Sequence, residues 1–131
     1  MKILIAEDDL VSRLFMKRFL SKYGDCDLAI NGVEAIDLFM NSLETNQRYD
    51  LICLDIMMPK IDGIKVLKVI RELENKSLNL DENKSKIIMT TALNDKETIE
   101  EAYLYGCVAY AWKPIDINKF KKVLKEIGIL K

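Results

Sequence analysis

The chain contains no histidine. That removes imidazole acid–base catalysis, a Ser–His nucleophile pair and most zinc sites. Cysteine is scarce, an odd and scattered set of three. Cys26, Cys53 and Cys107 each sit in or beside a strand-like run. They read as small buried hydrophobes in a reducing cytosol rather than as a disulfide or a metal site. Neither sign of charge is in surplus, with 20 basic residues against 21 acidic ones. The simple electrostatic case for nucleic acid or an anionic membrane is therefore missing. No apolar run approaches the ~20 residues that a bilayer-spanning helix needs. The start, MKILIAEDD, turns acidic too early for a signal peptide. Together these absences point to a cytoplasmic protein.

What is present is an ordinary globular balance. The 131 residues are half hydrophobic, a length and composition that suit one domain over 1–131 with a proper core. The hydrophobic period switches repeatedly along the chain. Short strand-like runs are expected at Lys2–Ala6, Cys26–Ile30, Tyr49–Leu54, Lys86–Thr91 and Cys107–Trp112. Helical stripes alternate with them. Leu10, Leu14, Phe15, Phe19 and Tyr23 form the first, with Gly24 as its stop. Val33, Ile36, Leu38, Phe39 and Leu43 form the second, opened by Asn31-Gly32. The third carries Ile64, Leu67, Val69, Ile70 and Leu73 after Gly63. Asn94-Asp95 caps the fourth, with Ile99, Ala102, Tyr103 and Leu104, closing at Gly106. The last carries Ile117, Phe120, Val123, Leu124 and Ile127 and ends near Leu130. Residues 75–85 are polar and aperiodic and read as a surface loop.

Five strands alternating with five helices argue for an α/β fold, a parallel sheet covered on both faces with right-handed crossovers. The expected strand order is the flavodoxin-like, doubly wound 2-1-3-4-5. That order puts strands 1 and 3 side by side. Their carboxyl ends flank the switch point where ligands of open α/β sheets bind.

Polar residues follow four of the apolar runs at this one edge. Glu7, Asp8 and Asp9 end the first strand, Asp55 the third, Thr90 and Thr91 the fourth, and Lys113 the fifth. Any one of them alone has an ordinary explanation: Glu7-Asp8-Asp9 as a solvated loop capping a helix, Asp55 as a turn cap, Thr91 as a strand-end hydroxyl, Lys113 as surface charge. Four strand ends together do not. Two like charges ~4 Å apart cost about 4 kcal/mol at an effective dielectric of ~20, so the carboxylates call for cations. All-oxygen ligands without His or thiolate favour a hard divalent ion, Mg²⁺ with Mn²⁺ as a substitute. With that ion, Asp55 has the chemistry of an aspartyl-phosphate nucleophile. The Thr91 hydroxyl and the Lys113 ammonium are suitable donors to a phosphoryl group.

Four stretches, KILIAEDD, LICLDIMMPKIDG, IIMTTA and YAWKPI, carry a resemblance to the receiver domain of response regulators, the CheY-like family. They cover almost the whole chain in the right order and spacing. The resemblance implies roles residue by residue. Asp55 is similar to the phospho-acceptor and Asp8 to the metal-ligand acid, with Glu7 assisting directly or through water. The Met57 backbone carbonyl would be a further metal ligand. Thr91 matches the hydroxyl that meets the phosphoryl group, Lys113 the family's lysine, and Pro114 the proline that follows it through a cis peptide. Tyr110 matches the switch aromatic, expected to move from exposed to buried when Thr91 reaches inward. Trp112 departs from the small aliphatic usual at its position. Met57 and Leu93 are apolar where members vary, which bears on phosphoryl lifetime.

The expected function is a phosphoacceptor signalling switch rather than an enzyme, with only its own phosphorylation and dephosphorylation as chemistry. Because the chain has no histidine, the phosphoryl group must come in trans, from a sensor histidine kinase, a His-containing phosphotransfer protein or a small phosphodonor. A downstream protein would read the surface of helix 4, strand 5 and helix 5. A Mg²⁺-dependent phosphohydrolase usually carries a second acid two residues past the nucleophile, where this chain has Met57. A flavodoxin-like nucleotide module needs a phosphate cradle, and EDDL repels phosphate. A receiver without chemistry would lack one of the matching groups. Lys119, Lys121, Lys122 and Lys125 on the last helix read as a solvated face rather than a nucleic-acid patch.

Overall fold

The computed structural model describes residues 1–77, 84–92 and 94–131. Among them five strands, β1 (Lys2–Ala6), β2 (Asp25–Ala29), β3 (Leu51–Asp55), β4 (Lys86–Thr91) and β5 (Ala109–Trp112), alternate with five helices. These are α1 (Leu10–Leu20), α2 (Gly32–Glu44), α3 (Gly63–Asn75), α4 (Lys96–Leu104) and α5 (Ile117–Glu126). The strands form one parallel sheet in the expected order, β2-β1-β3-β4-β5. Residues 78–83, within the loop expected at 75–85, and Leu93 lie outside the described residues.

The sheet is buried on both faces, which explains why β3 is apolar without alternation. Leu4, Ile52, Leu54 and Met89 point to one side, packed with Phe39 of α2, Ile70 of α3 and Ala102 of α4. Ile3, Ile5, Cys53 and Ile88 point to the other, packed with Phe19 of α1 and Phe120 of α5. Each helix begins at an Asx side chain that accepts a first-turn amide: Asp9, Asn31, Asp62, Asp95 and Asp116. Such a cap contributes about 1 kcal/mol. The three cysteines are free, two of them buried. No described helix is long and apolar enough to cross a membrane.

Several local expectations shift. β2 lies one residue before its apolar run, β3 starts two residues later and ends one residue later than expected, and β5 starts at Ala109, two residues late. Parallel pairing sets those ends: Lys2 registers with Asp25 and Ile3 with Leu51. In α1 the buried face is Met16, Phe19 and Leu20, whereas Leu10, Leu14 and Phe15 are exposed. Val33 of α2 and Tyr103 and Leu104 of α4 are exposed as well. Gly24 does not end α1, which stops at Leu20. It is needed for close approach, since a Cβ there would lie 2.3 Å from the Met1 carbonyl oxygen. α5 ends at Glu126, short of Leu130.

Candidate functional site at the carboxyl edge of the sheet

Register assembles the site. Ala6 pairs with Leu54, so the next residues, Glu7 and Asp55, leave β1 and end β3 side by side. Asp55 pairs with Thr90, and Thr91 with Trp112, which precedes Lys113. The loop after β3 folds back tightly: the Gly63 amide donates to the Ile56 carbonyl at 2.8 Å. A Cβ on Gly63 would come within 2.2 Å of the Asp55 carbonyl oxygen. The Asp-Gly pair thus brings α3 against the end of β3. The Met57 carbonyl accepts no main-chain amide among the described residues.

Glu7 and Asp55 are buried, each about 3% exposed, and Asp8 is exposed. Carboxylate oxygens of the three lie within 4.8 Å of one another. The Lys113 ammonium pairs with Glu7 and stands 3.3 Å from Asp55 Oδ2. Asp9 belongs to the scaffold instead. Its side chain accepts the Ser12 amide at 2.8 Å as the cap of α1, a bond that lowers its pKa. Burial, then the hydrogen bond and charge of Glu7, push Asp55 up to about 7, with Lys113 offsetting only part of this. Burial disfavours the Lys113 ammonium, but Glu7 and Asp55 outweigh it and raise its pKa. One ammonium for three carboxylates leaves an excess of negative oxygen, a donor set suited to a hard divalent cation.

The Asp55 shift has a consequence for stability. Unfolded, the carboxyl ionises near its ordinary 3.8, and folded only near 7. Between those values the folded state holds a proton the unfolded state has lost, so the contribution of Asp55 declines as pH rises through this window. Asp55→Asn carries no such loss. In metal-free buffer it should melt above the unsubstituted protein at pH 8, by about 3–6 °C per kcal/mol relieved, with the gap closing toward pH 4. Calorimetry across pH checks this. A gap that widens on acidification would reverse the sign of the Asp55 shift.

Thr91 is fully buried, and the cis Lys113-Pro114 peptide is present as expected. The Tyr110 ring lies inside the core, 6% exposed, the buried one of its two expected positions. Its hydroxyl is buried without a hydrogen-bond partner among the described residues, with the Thr91 hydroxyl as a polar neighbour. The half-exposed Trp112 packs beside it: two residues on along β5, its ring lies 5.2 Å from that of Tyr110 at 53°. An aromatic pair is worth about 0.5–1.5 kcal/mol and an unsatisfied buried hydroxyl costs about 1–3 kcal/mol. The balance is close, so Trp112→Ala should let Tyr110 turn outward in the resting protein. Fluorotyrosine NMR, with Tyr110→Phe to assign the signal, reads this as a gain in solvent exposure. An unchanged Tyr110 would mean the core alone holds the ring.

One residue of the site carried no signal in the sequence. Arg13 of α1 donates from Nη1 to the Glu7 carbonyl at 2.9 Å and the Asp8 carbonyl at 3.2 Å. A basic residue six positions after an acid has no recognisable pattern until the helix folds back over the loop.

The sheet order and a carboxylate–lysine pocket at its switch point define a CheY-like α/β domain. Residues 3–125 match the response regulator receiver domain, and the chain belongs to that family. It is 34% identical over 127 residues to the osmosensing histidine protein kinase SLN1 of Saccharomyces cerevisiae, covering 95% of this chain but 10% of that protein. It is 33% identical over 131 residues to sporulation initiation phosphotransferase F of Bacillus subtilis (strain 168), covering 99% of this chain and 95% of that one. The solved complex of a Saccharomyces cerevisiae histidine phosphotransfer signaling protein with the receiver domain of its downstream response regulator matches with TM-score 0.80 and 28% identity. That match covers 98% of this chain and 89% of the other.

Proposed function

We propose that the protein is a phosphoacceptor switch in which Asp55 takes a phosphoryl group from a histidine kinase or a histidine phosphotransfer protein. The convergence of Glu7, Asp8, Asp55 and Lys113 at the switch point is the observation that carries this reading. An Asp55 carboxylate oxygen attacks phosphorus, the bond from phosphorus to the donor's imidazole nitrogen breaks, and the imidazole leaves, taking up a proton. Asp8, Asp55, the Met57 carbonyl and Glu7, directly or through water, would hold Mg²⁺ or Mn²⁺, which would supply positive charge to offset phosphoryl oxygens. Lys113, now paired with Glu7 and Asp55, supplies a second positive charge beside the acceptor. The Thr91 hydroxyl is the donor that changes position, and Tyr110 and Trp112 carry the change to the surface formed by α4, β5 and α5. A downstream protein reads that surface.

A protein of this kind works on its own aspartate and turns over no separate substrate. Phosphohydrolase chemistry would want a second acid two residues past Asp55, where the exposed Met57 side chain stands. The charge balance and the lack of a membrane-crossing helix among the described residues fit a cytoplasmic protein with protein partners.

Acetyl phosphate should phosphorylate the protein with Mg²⁺ or Mn²⁺ present and not after chelation, because the acidic pocket repels a phosphoryl anion. Intact-mass spectrometry reads the adduct directly. Equal adduct with and without chelator would remove the cation from the reading.

A further inference from the structure

Glu7, Asp8 and Asp9 are consecutive acids, and the main-chain carbonyls of all three are taken by one residue. Arg13 Nη1 donates to the Glu7 carbonyl at 2.9 Å and to the Asp8 carbonyl at 3.2 Å. The Arg13 backbone amide donates to the Asp9 carbonyl at 2.9 Å. The Asp9 amide in turn donates to Glu7 Oε2 at 3.2 Å, and Asp9 caps the helix on which Arg13 sits. The loop that brings two carboxylates to the pocket is thus closed on itself through a half-buried guanidinium.

Resting on the cation-dependent reading above, we propose that Arg13 is a positioning residue of the pocket. It fixes the Glu7–Asp9 main chain so that the Glu7 and Asp8 carboxylates stand where a divalent cation needs them. It touches neither the cation nor the phosphoryl group. A loop of like charges without this clamp would relax by moving its carboxylates apart into water, and the cation would have to regather them. Groups that orient ligands without touching the metal commonly change its affinity about 10–100-fold.

Two physical effects of Arg13 have opposite signs, and this makes the inference decidable. As a nearby positive charge, Arg13 repels a second cation, so its removal should tighten cation binding. As a clamp, its removal should weaken binding. Arg13→Met keeps an unbranched apolar stem, the helix propensity and the backbone amide and removes the guanidinium. Arg13→Lys keeps the charge but is one bond shorter, so its ammonium falls short of the place where Nη1 makes both bonds.

The experiment is Mn²⁺ binding followed by electron paramagnetic resonance on the full chain, without phosphodonor, with circular dichroism to verify folding. Arg13→Met should bind Mn²⁺ about tenfold more weakly than the unsubstituted protein, with Arg13→Lys in between. At saturating Mg²⁺, Arg13→Met should recover the unsubstituted rate of phosphorylation by acetyl phosphate, since the reacting groups are untouched. Equal or tighter Mn²⁺ binding by Arg13→Met overturns the clamp and leaves Arg13 a charge. Should Arg13→Met fold poorly, Arg13→Lys decides: affinity equal to the unsubstituted protein overturns the proposal. An unsubstituted protein that binds neither ion overturns the cation reading itself and the role of Arg13 with it.

Discussion

Asp55→Asn should show no phosphoryl adduct after incubation with acetyl phosphate and Mg²⁺, while its fold stays intact. Nucleophilic attack on phosphorus needs a carboxylate lone pair, and the amide that replaces it is nearly isosteric but a poor nucleophile. Asp55 is buried at the end of β3, where the Ile56 amide bonds to the Thr90 carbonyl at 3.1 Å independently of the side chain. The strand end therefore survives the exchange. The Lys113 ammonium keeps Glu7 as a partner. Asp8→Asn should behave differently, because Asp8 is the exposed member of the cluster and keeps no ion pair with Lys113. It should still give an adduct, but only at raised Mg²⁺. Intact mass followed by peptide mapping separates the two variants. An adduct persisting on Asp55→Asn would move the acceptor to another oxygen, with Asp9 and Thr91 the first to map, and the reading of the pocket would fail with it.

The legibility of this molecule follows from where burial is simple. β3 could be read from LICLD because a central parallel strand, buried on both faces, has no polar alternation to hide it, and all five of its residues are buried. The acids and the lysine could be read because each interrupts an apolar run, and strand order alone brings those interruptions together. The helix caps Asn31 and Asp95 follow from local chemistry. Other features depend on contacts between elements. α1 carries more apolar residues than one face can bury, so the choice of Met16, Phe19 and Leu20 over Leu14 and Phe15 is made by the sheet and α5. Gly24 reads as a helix stop until Met1 is placed beside it. The inward ring of Tyr110 lies against Trp112, whose departure from the usual small residue was visible but whose contact was not. Arg13 acts through its own chain's carbonyls, a partnership that leaves no trace in hydrophobic periodicity.

Glu74→Ala should lower stability by about 3–5 kcal/mol, the usual cost of removing one partner of a buried ion pair. Glu74 lies in the last turn of α3 with a side chain only 2% exposed, and Arg71 beside it is 15% exposed at 2.6 Å. The second Glu74 oxygen accepts the Ser85 amide at 2.8 Å. Arg71 also donates to the Ser85 carbonyl at 2.9 Å and, from Nη2, to the Gly106 carbonyl at 2.6 Å. The Ser85 hydroxyl bonds to the Tyr49 carbonyl at 2.6 Å. One acid thus organises the chain just before β3, β4 and β5. Without it the largely buried guanidinium loses its counter-charge and the Ser85 amide loses its acceptor. The exposed pair Lys96–Glu100, at 3.8 Å with both side chains more than half exposed, is the contrast. Such pairs are worth about 0–1 kcal/mol, so Glu100→Ala should change little. Glu74→Gln should fall between, since its carbonyl oxygen can keep the Ser85 amide. Urea titration and calorimetry measure all three, with a drop in melting temperature of roughly 10–20 °C expected for Glu74→Ala. A loss under 1 kcal/mol would mean water reaches Arg71 and the network is a surface feature. These bonds lie at the amino ends of the strands and the pocket at their carboxyl ends. Glu74→Ala kept well below its melting temperature should therefore still take up a phosphoryl group on Asp55, separating the part of the fold that holds the sheet together from the part that does the chemistry.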